Sequence, residues 1–198
     1  MTPDPTTFSV AILAGGQASR LGGVDKSALR VNGRSILERE LAVARELTTN
    51  ILIVAADPTR FLDTGVRVET DRIAGAGALG GLYTALATAS TNLVLVLACD
   101  MPFVTSSFLA WMVEQAAGVD AVIPRDQHGR HPLCGVYAVH AAPHVRACIE
   151  AGRRRVDSAL DGLSVRDIGP EQLAPHDPDG QLLLNVNTPD DYARATGR

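Results

Sequence analysis

Aromatic residues are scarce in this chain, at 4%, and positive charge is not in excess: 18 Lys and Arg stand against 22 Asp and Glu, a formal net charge of -4. A nucleic-acid partner generally requires a strong basic field, so that class is disfavoured, and any bound anion must be met by positive charge placed locally. Cysteine is sparse too. Cys99, Cys134 and Cys148 are scattered, with no CxxC pair and no metal-ligand spacing, which argues against a disulfide framework and against a zinc site. Reduced thiols suit the cytoplasm. Apolar runs such as Leu93–Cys99 fall far short of the roughly 20 residues a membrane span needs. Met1 to Phe8 carries Pro3 and Pro5 but no Lys, no Arg and no apolar core, so a secretory leader is not expected. The expectation is a cytoplasmic protein that engages neither membrane nor nucleic acid.

What is present is ordinary globular material: 198 residues, 46% of them hydrophobic. That suffices for a real core and suits one domain, 1–198, with 1–7 as a disordered start. Apolar runs of strand length alternate with stretches of helical period, which predicts an α/β fold with a mainly parallel sheet covered on both faces. Phe8–Leu13 reads as a buried first strand and Ile51–Ala55 and Val66–Glu69 as the next two. Ser35 and Glu38 form a capping box ahead of the stripe Leu37, Leu41, Ala44, Leu47. Four glycines between Ala74 and Gly81 predict a loop there, with a helix resuming at Leu82. Leu93–Ala98 is the most apolar strand, and Thr105 or Ser106 caps the helix after it. Ala121–Pro124 and Leu133–Val139 read as strands, Ala141–Ala151 as a helix, and Thr188-Pro189-Asp190-Asp191 starts a terminal helix.

In an open α/β sheet, ligands sit beyond the carboxyl ends of the strands. The first such end runs Leu13-Ala14-Gly15-Gly16-Gln17-Ala18-Ser19-Arg20-Leu21-Gly22-Gly23-Val24-Asp25-Lys26. Glycines let backbone N–H groups approach phosphate oxygens, and Arg20 and Lys26 supply charge where pyrophosphate would depart. The dinucleotide fingerprint and the Walker loop both fail here: Gly15-Gly16 lacks the first spacing, and Asp25 stands where the second needs Gly. A solvated glycine turn is the bland alternative, but loop, cations and strand context agree on a polyphosphate.

Asp100 ends the most buried strand and is followed by Met101-Pro102, which keeps the chain extended and aims the carboxylate at the same edge. Mg²⁺ on phosphate oxygens needs only one or two protein carboxylates, so Asp100 suffices as its ligand. Asp71, after another strand end, can accept from a base or ribose, join the metal shell, or simply form a turn. Arg153-Arg154-Arg155 can receive an acceptor's phosphate or lie solvated at a helix start. His131, Asn185 and Asn187 are explained as well by turn chemistry.

Taken together, these motifs resemble the molybdenum cofactor guanylyltransferases, within the nucleotidyltransferases of Rossmann-like three-layer α/β/α fold. The matching stretches are the loop from Leu13 to Lys26, Asp71 with Gly77-Ala78-Leu79-Gly80-Gly81, Cys99-Asp100-Met101-Pro102, and Asn185-Val186-Asn187-Thr188-Pro189-Asp190-Asp191. The resemblance implies transfer of GMP from GTP to molybdopterin with Mg²⁺, giving a guanine dinucleotide cofactor and pyrophosphate, and transient contact with molybdoenzyme maturation proteins. It places Leu13, Ala14, Gly15, Gly16, Lys26, Asp71 and Asp100 on GTP, with Arg20, Lys26 and Asp100 catalytic. His131, Arg154, Arg155 and Asn187 fall on the molybdopterin side. The family usually reads Gly-Pro-Leu-Ala-Gly where this chain has Gly77–Gly81, and often places Asn where Ala55 and Ala56 stand. Rival readings are a molybdopterin cytidylyltransferase, from which Gly15 and Asn187 point away, a sugar-phosphate nucleotidyltransferase, and a non-catalytic nucleotide- or molybdopterin-binding module.

Overall fold

The structure is a computed structural model that describes residues 7–14, 17–18 and 24–197; the expectations placed on residues 1–6, Gly15, Gly16 and Arg20 lie outside the described residues. Eight strands make one mixed, mainly parallel sheet: β1 Phe8–Leu13, β2 Ile51–Val54, β3 Arg67–Glu69, β4 Leu93–Ala98, β5 Ala121–Asp126, β6 Gly129–Arg130, β7 Cys134–Ala138 and β8 Val165–Ile168. β1 is central, parallel to β2 on one side and β4 on the other, with Ile12 opposite both Ile53 and Leu97. β3 continues the parallel order beyond β2. β7 runs antiparallel to both β4 and β5. It follows β5 through a tight link containing β6 rather than a helical crossover, and a short link can only reverse the chain.

Among the described residues seven helices flank the sheet: α1 Ile36–Leu47, α2 Gly77–Thr88, α3 Ser106–Glu114, α4 Ala142–Glu150, α5 Asp157–Leu160, α6 Pro170–Leu173 and α7 Pro189–Thr196. The period of two along the strands divides the core. Val10, Ile12, Leu95 and Leu97 face Leu37 and Leu41 of α1 and Phe108 and Met112 of α3. Ala11, Val94 and Val96 face Leu79, Leu82 and Leu86 of α2 and Val145 and Ile149 of α4. Both faces are covered, which is why these strands read as unbroken apolar runs. Each such Leu, 0% exposed at 95 and 97, contributes roughly 1.5–3 kcal/mol by leaving water.

Ser35 and Glu38 do form the capping box of α1, Thr105 caps α3 through Phe108 N–H, and Thr188 caps α7 with Pro189 in its first turn. The loop expected up to Gly81 is corrected: α2 already starts at Gly77 and contains Gly80 and Gly81. Close packing overrides propensity here. A Cβ on Gly80 would stand 2.8 Å from the Ala76 Cβ and 3.2 Å from the Ile73 carbonyl, and one on Gly81 would stand 3.3 Å from Leu13. The entry to α2 needs glycine for another reason, since Gly75 before it and Gly77 at its first position take left-handed φ values of 74° and 60°. Among the described residues no helix is long and apolar enough to cross a membrane.

Candidate active site

The parallel order brings the carboxyl ends of β1, β2, β3 and β4 to one edge, and the chemistry gathers there. Ala14 N–H donates to Val54 O at 2.9 Å and Cys99 N–H to Leu13 O at 3.2 Å, so the ends of β1, β2 and β4 stay in register past their last ladder residues. The chain returns from the first loop at a short 3₁₀ turn, Lys26–Ala28. Lys26 Nζ donates to Asp100 Oδ2 at 3.0 Å and also, in a very short contact, to Asn187 Oδ1. The two side chains of this ion pair are only 17% and 15% exposed, so water and salt screen it little. Val186 N–H donates to Asp100 O at 2.8 Å, and Asn187 and Thr188 N–H both donate to Asp191, so the cap of α7 fixes Asn187 against Lys26.

Asp100 has a second oxygen, Oδ1, that is buried without a hydrogen-bond partner. Burial pushes its carboxyl up, opposed by the charge and hydrogen bond of Lys26 and by His131. Across the cavity, Asp71 also carries an unpartnered buried oxygen, Oδ1, and burial raises its carboxyl. Leu13, Ala14, Lys26, Asp71, Gly81 and Asp100 line one cavity of about 320 Å³. Gly81 makes its wall thin: a Cβ there would come 3.8 Å from Asp71 Oδ1.

A second cavity of about 480 Å³ adjoins the first and shares Ala78, Ala98, Asp100 and Leu133 with it. His131, Arg154, Arg155 and Asn185 line the second. His131 Nε2 lies 3.0 Å from Asp126 Oδ2. Its Nδ1 faces Asn185 Nδ2 at 3.4 Å. For Asp126, burial works upward but the His128 N–H and His131 outweigh it, and the carboxyl is lowered. The Arg155 guanidinium is 85% exposed and its 3.4 Å contact to Asp157 is a weak surface pair, which leaves it open to an anion.

The residues predicted from sequence therefore sort into two neighbouring lobes. Leu13, Ala14, Lys26, Asp71 and Asp100 surround the first, and His131, Arg154 and Arg155 the second. Asn187, expected with the second group, sits instead on Lys26, and its near neighbour Asn185 lines the second lobe. Sequence reading missed Glu40, which is 0% exposed on α1 beneath Asp100's turn. Its signal was available: position 40 lies in the apolar stripe of 37, 41 and 44, where a carboxylate is out of place. Burial first, and then the Asp100 charge, push the Glu40 carboxyl well above its ordinary range.

A cation paired to one oxygen of a carboxylate whose other oxygen is buried and unpartnered, at the carboxyl edge of a parallel sheet with a second lobe alongside, suits a nucleotidyltransferase. The match to the MobA-like NTP transferase domain, over residues 10–164, agrees. The chain is 37% identical over 190 residues to the "Probable molybdenum cofactor guanylyltransferase" of Chloroflexus aggregans, covering 93% of this chain and 91% of that one. Its 35% identity to the protein of the same name from Methanothermobacter thermautotrophicus covers 92% and 96%. Among solved structures, the molybdopterin-guanine dinucleotide biosynthesis protein A of Archaeoglobus fulgidus superposes with a TM-score of 0.81 at 29% identity, over 96% of this chain and 97% of that one. The chain thus belongs to the molybdenum cofactor guanylyltransferases, a family of MobA-like nucleotidyltransferases.

Proposed function

We propose that this protein transfers GMP from GTP to the terminal phosphate of molybdopterin and releases pyrophosphate. The observation that carries the reading is Asp100 Oδ1, buried, unpartnered and placed where the two lobes meet. GTP occupies the first lobe against Leu13, Ala14 and Asp71, and molybdopterin occupies the second against His131, Arg154 and Arg155. The acceptor's phosphate oxygen attacks the α-phosphorus in line, the new P–O bond forms, and the bond to the bridging β-phosphate oxygen breaks. No protein nucleophile is needed. The protein's task is to hold two anions together and neutralise the charge that grows on the leaving pyrophosphate.

Lys26 does this by exchanging Asp100 for a phosphate oxygen, Asn187 guiding its ammonium throughout. Asp100, through its unpartnered Oδ1, would hold Mg²⁺. The residues fit the ion, because Asp100 Oδ1 is buried without a partner and a phosphate-bound Mg²⁺ asks for one or two carboxylates only. When bound, the ion supplies charge neutralisation to the phosphates. Arg20, Gly15 and Gly16 complete the phosphate loop in this reading. GTP and reduced thiols both suit a cytoplasmic setting, and a transient hand-over to molybdoenzyme maturation proteins follows from the nature of the product.

Pyrophosphate release with each of the four nucleotides, with and without purified molybdopterin, tests the reading. Release is expected with GTP and Mg²⁺ only when molybdopterin is present. Faster release with CTP would move the assignment to a cytidylyltransferase, and none with any nucleotide would end it.

A further inference from the structure

α1 is an amphipathic helix whose inward stripe carries an acid. Glu40 is fully buried, its Oε1 accepts the Met101 N–H at 3.3 Å, and the Cys99 thiol and the Asp100 carboxylate lie beside its carboxyl. The adjacent Arg39 Nε donates to the Pro102 carbonyl at 2.8 Å. Two consecutive side chains of one helix thus take a donor and an acceptor from the turn that follows Asp100. From the other side, Val186 N–H holds the Asp100 carbonyl at 2.8 Å. The Asp100–Met101 peptide is gripped at both of its polar groups.

Fold alone does not ask for this acid. α1 is capped at Ser35 and Glu38 and packs through Ile36, Leu37, Leu41 and Ala44, so Leu or Met at 40 would complete its stripe and bury no polar atom. What an apolar residue would remove is the carboxyl's hydrogen bond with the Cys99 thiol and the acceptor for Met101 N–H, a buried donor that would otherwise turn in search of another. Turning that peptide swings the Cα–Cβ bond of Asp100, one residue back.

We infer that Glu40 is a positioning residue whose buried carboxyl fixes the Asp100–Met101 peptide and so aims Asp100 Oδ1 at the junction of the two lobes. This rests on the metal-binding role proposed above for Asp100.

The test compares Glu40→Leu, Glu40→Met and Glu40→Gln in the full chain. Four quantities are read: Tm, the affinity for Mn²⁺ titrated calorimetrically into GTP-saturated protein, and the kcat and KM of pyrophosphate release. Glu40→Leu and Glu40→Met should keep or raise Tm, yet bind Mn²⁺ at least about tenfold more weakly and lose kcat by a similar factor, the usual scale for a lost supporting contact at a metal site. KM for molybdopterin should hold. Glu40→Gln keeps an oxygen for Met101 N–H and should restore Mn²⁺ affinity to within about threefold of wild type. Wild-type Mn²⁺ affinity in either apolar variant overturns the inference, as does failure of both to fold, which would make Glu40 a determinant of the fold. If the wild type binds Mn²⁺ with GTP but releases no pyrophosphate, the proposed reaction falls while the Mn²⁺ titration still judges Glu40. A wild type that binds no Mn²⁺ with GTP overturns both.

Discussion

Lys26 and Asp100 neutralise each other at 3.0 Å in a place where water screens little, and each gives the other a reason to be there. Lys26→Ala removes the ammonium that Asp100 Oδ2 accepts from and leaves the backbone contacts of the strand end in place. Its far-ultraviolet circular dichroism should match the wild type, and its turnover should fall by about 10²–10³-fold, the scale for losing one donor to a developing anion. Turnover within about threefold of wild type would take Lys26 out of the reaction. Glu40 gives a second residue-level expectation, in pH. Its unfolded carboxyl titrates near the ordinary 4.5, and the folded one well above it. Between those values the folded protein keeps a proton that the unfolded chain releases, so stability is highest below the lower value and declines as pH rises toward the upper. Glu40→Gln has no such proton. The stability of Glu40→Gln relative to wild type, from urea melts, should therefore grow as pH rises above the ordinary carboxylate value of 4.5, and a constant gap would contradict the assignment.

α2 shows how an element can hide from its own sequence. Propensity argued that Gly80 and Gly81 lie outside a helix, but contact distances of 2.8 Å and 3.3 Å to a would-be Cβ explain why the helix tolerates them. The two should respond differently to alanine. Gly80→Ala drives its methyl into Ala76 and a backbone carbonyl, and the overpacking cost of about 1–3 kcal/mol exceeds the roughly 1 kcal/mol gained in helix propensity. At Gly81 the obstacle is the end of the Leu13 side chain, which borders open cavity and can give way, so stability should hold. The new methyl nevertheless narrows the space beside Asp71, and KM for GTP should rise roughly tenfold, as expected for one methyl in a fitted pocket. Urea melts and steady-state kinetics on the pair separate these effects. Elsewhere local chemistry was sufficient: Ser35 with Glu38 and Thr188 declared their helix starts directly, Thr105 or Ser106 was narrowed to Thr105 by the structure, and Leu93–Ala98 declared itself an inner strand by having no polar face. What stayed illegible was pairing across long separations. No local pattern says that Asn187 meets Lys26 or that Glu40 reaches Met101, 61 positions away, because both meetings are made by the sheet order.

At the scale of the molecule, the sheet assigns its two lobes to different stretches of chain. The first belongs to the ends of β1, β3 and β4 and the start of α2, and the second to the link between β5 and β7 and the basic segment after α4. Arg154→Ala and Arg155→Ala should accordingly raise KM for molybdopterin several-fold, about the effect of one lost phosphate contact, and leave KM for GTP unchanged. Equal rises in both constants would argue against separate lobes. The shared wall of Ala78, Ala98, Asp100 and Leu133 has a kinetic corollary. Two substrates arrive as independent bodies, but the dinucleotide leaves as one, tethered at both ends, and letting go of either half only returns it to the other. Escape of the finished molecule is then the slow passage of the cycle, and rapid mixing should reveal a burst of pyrophosphate in the first turnover.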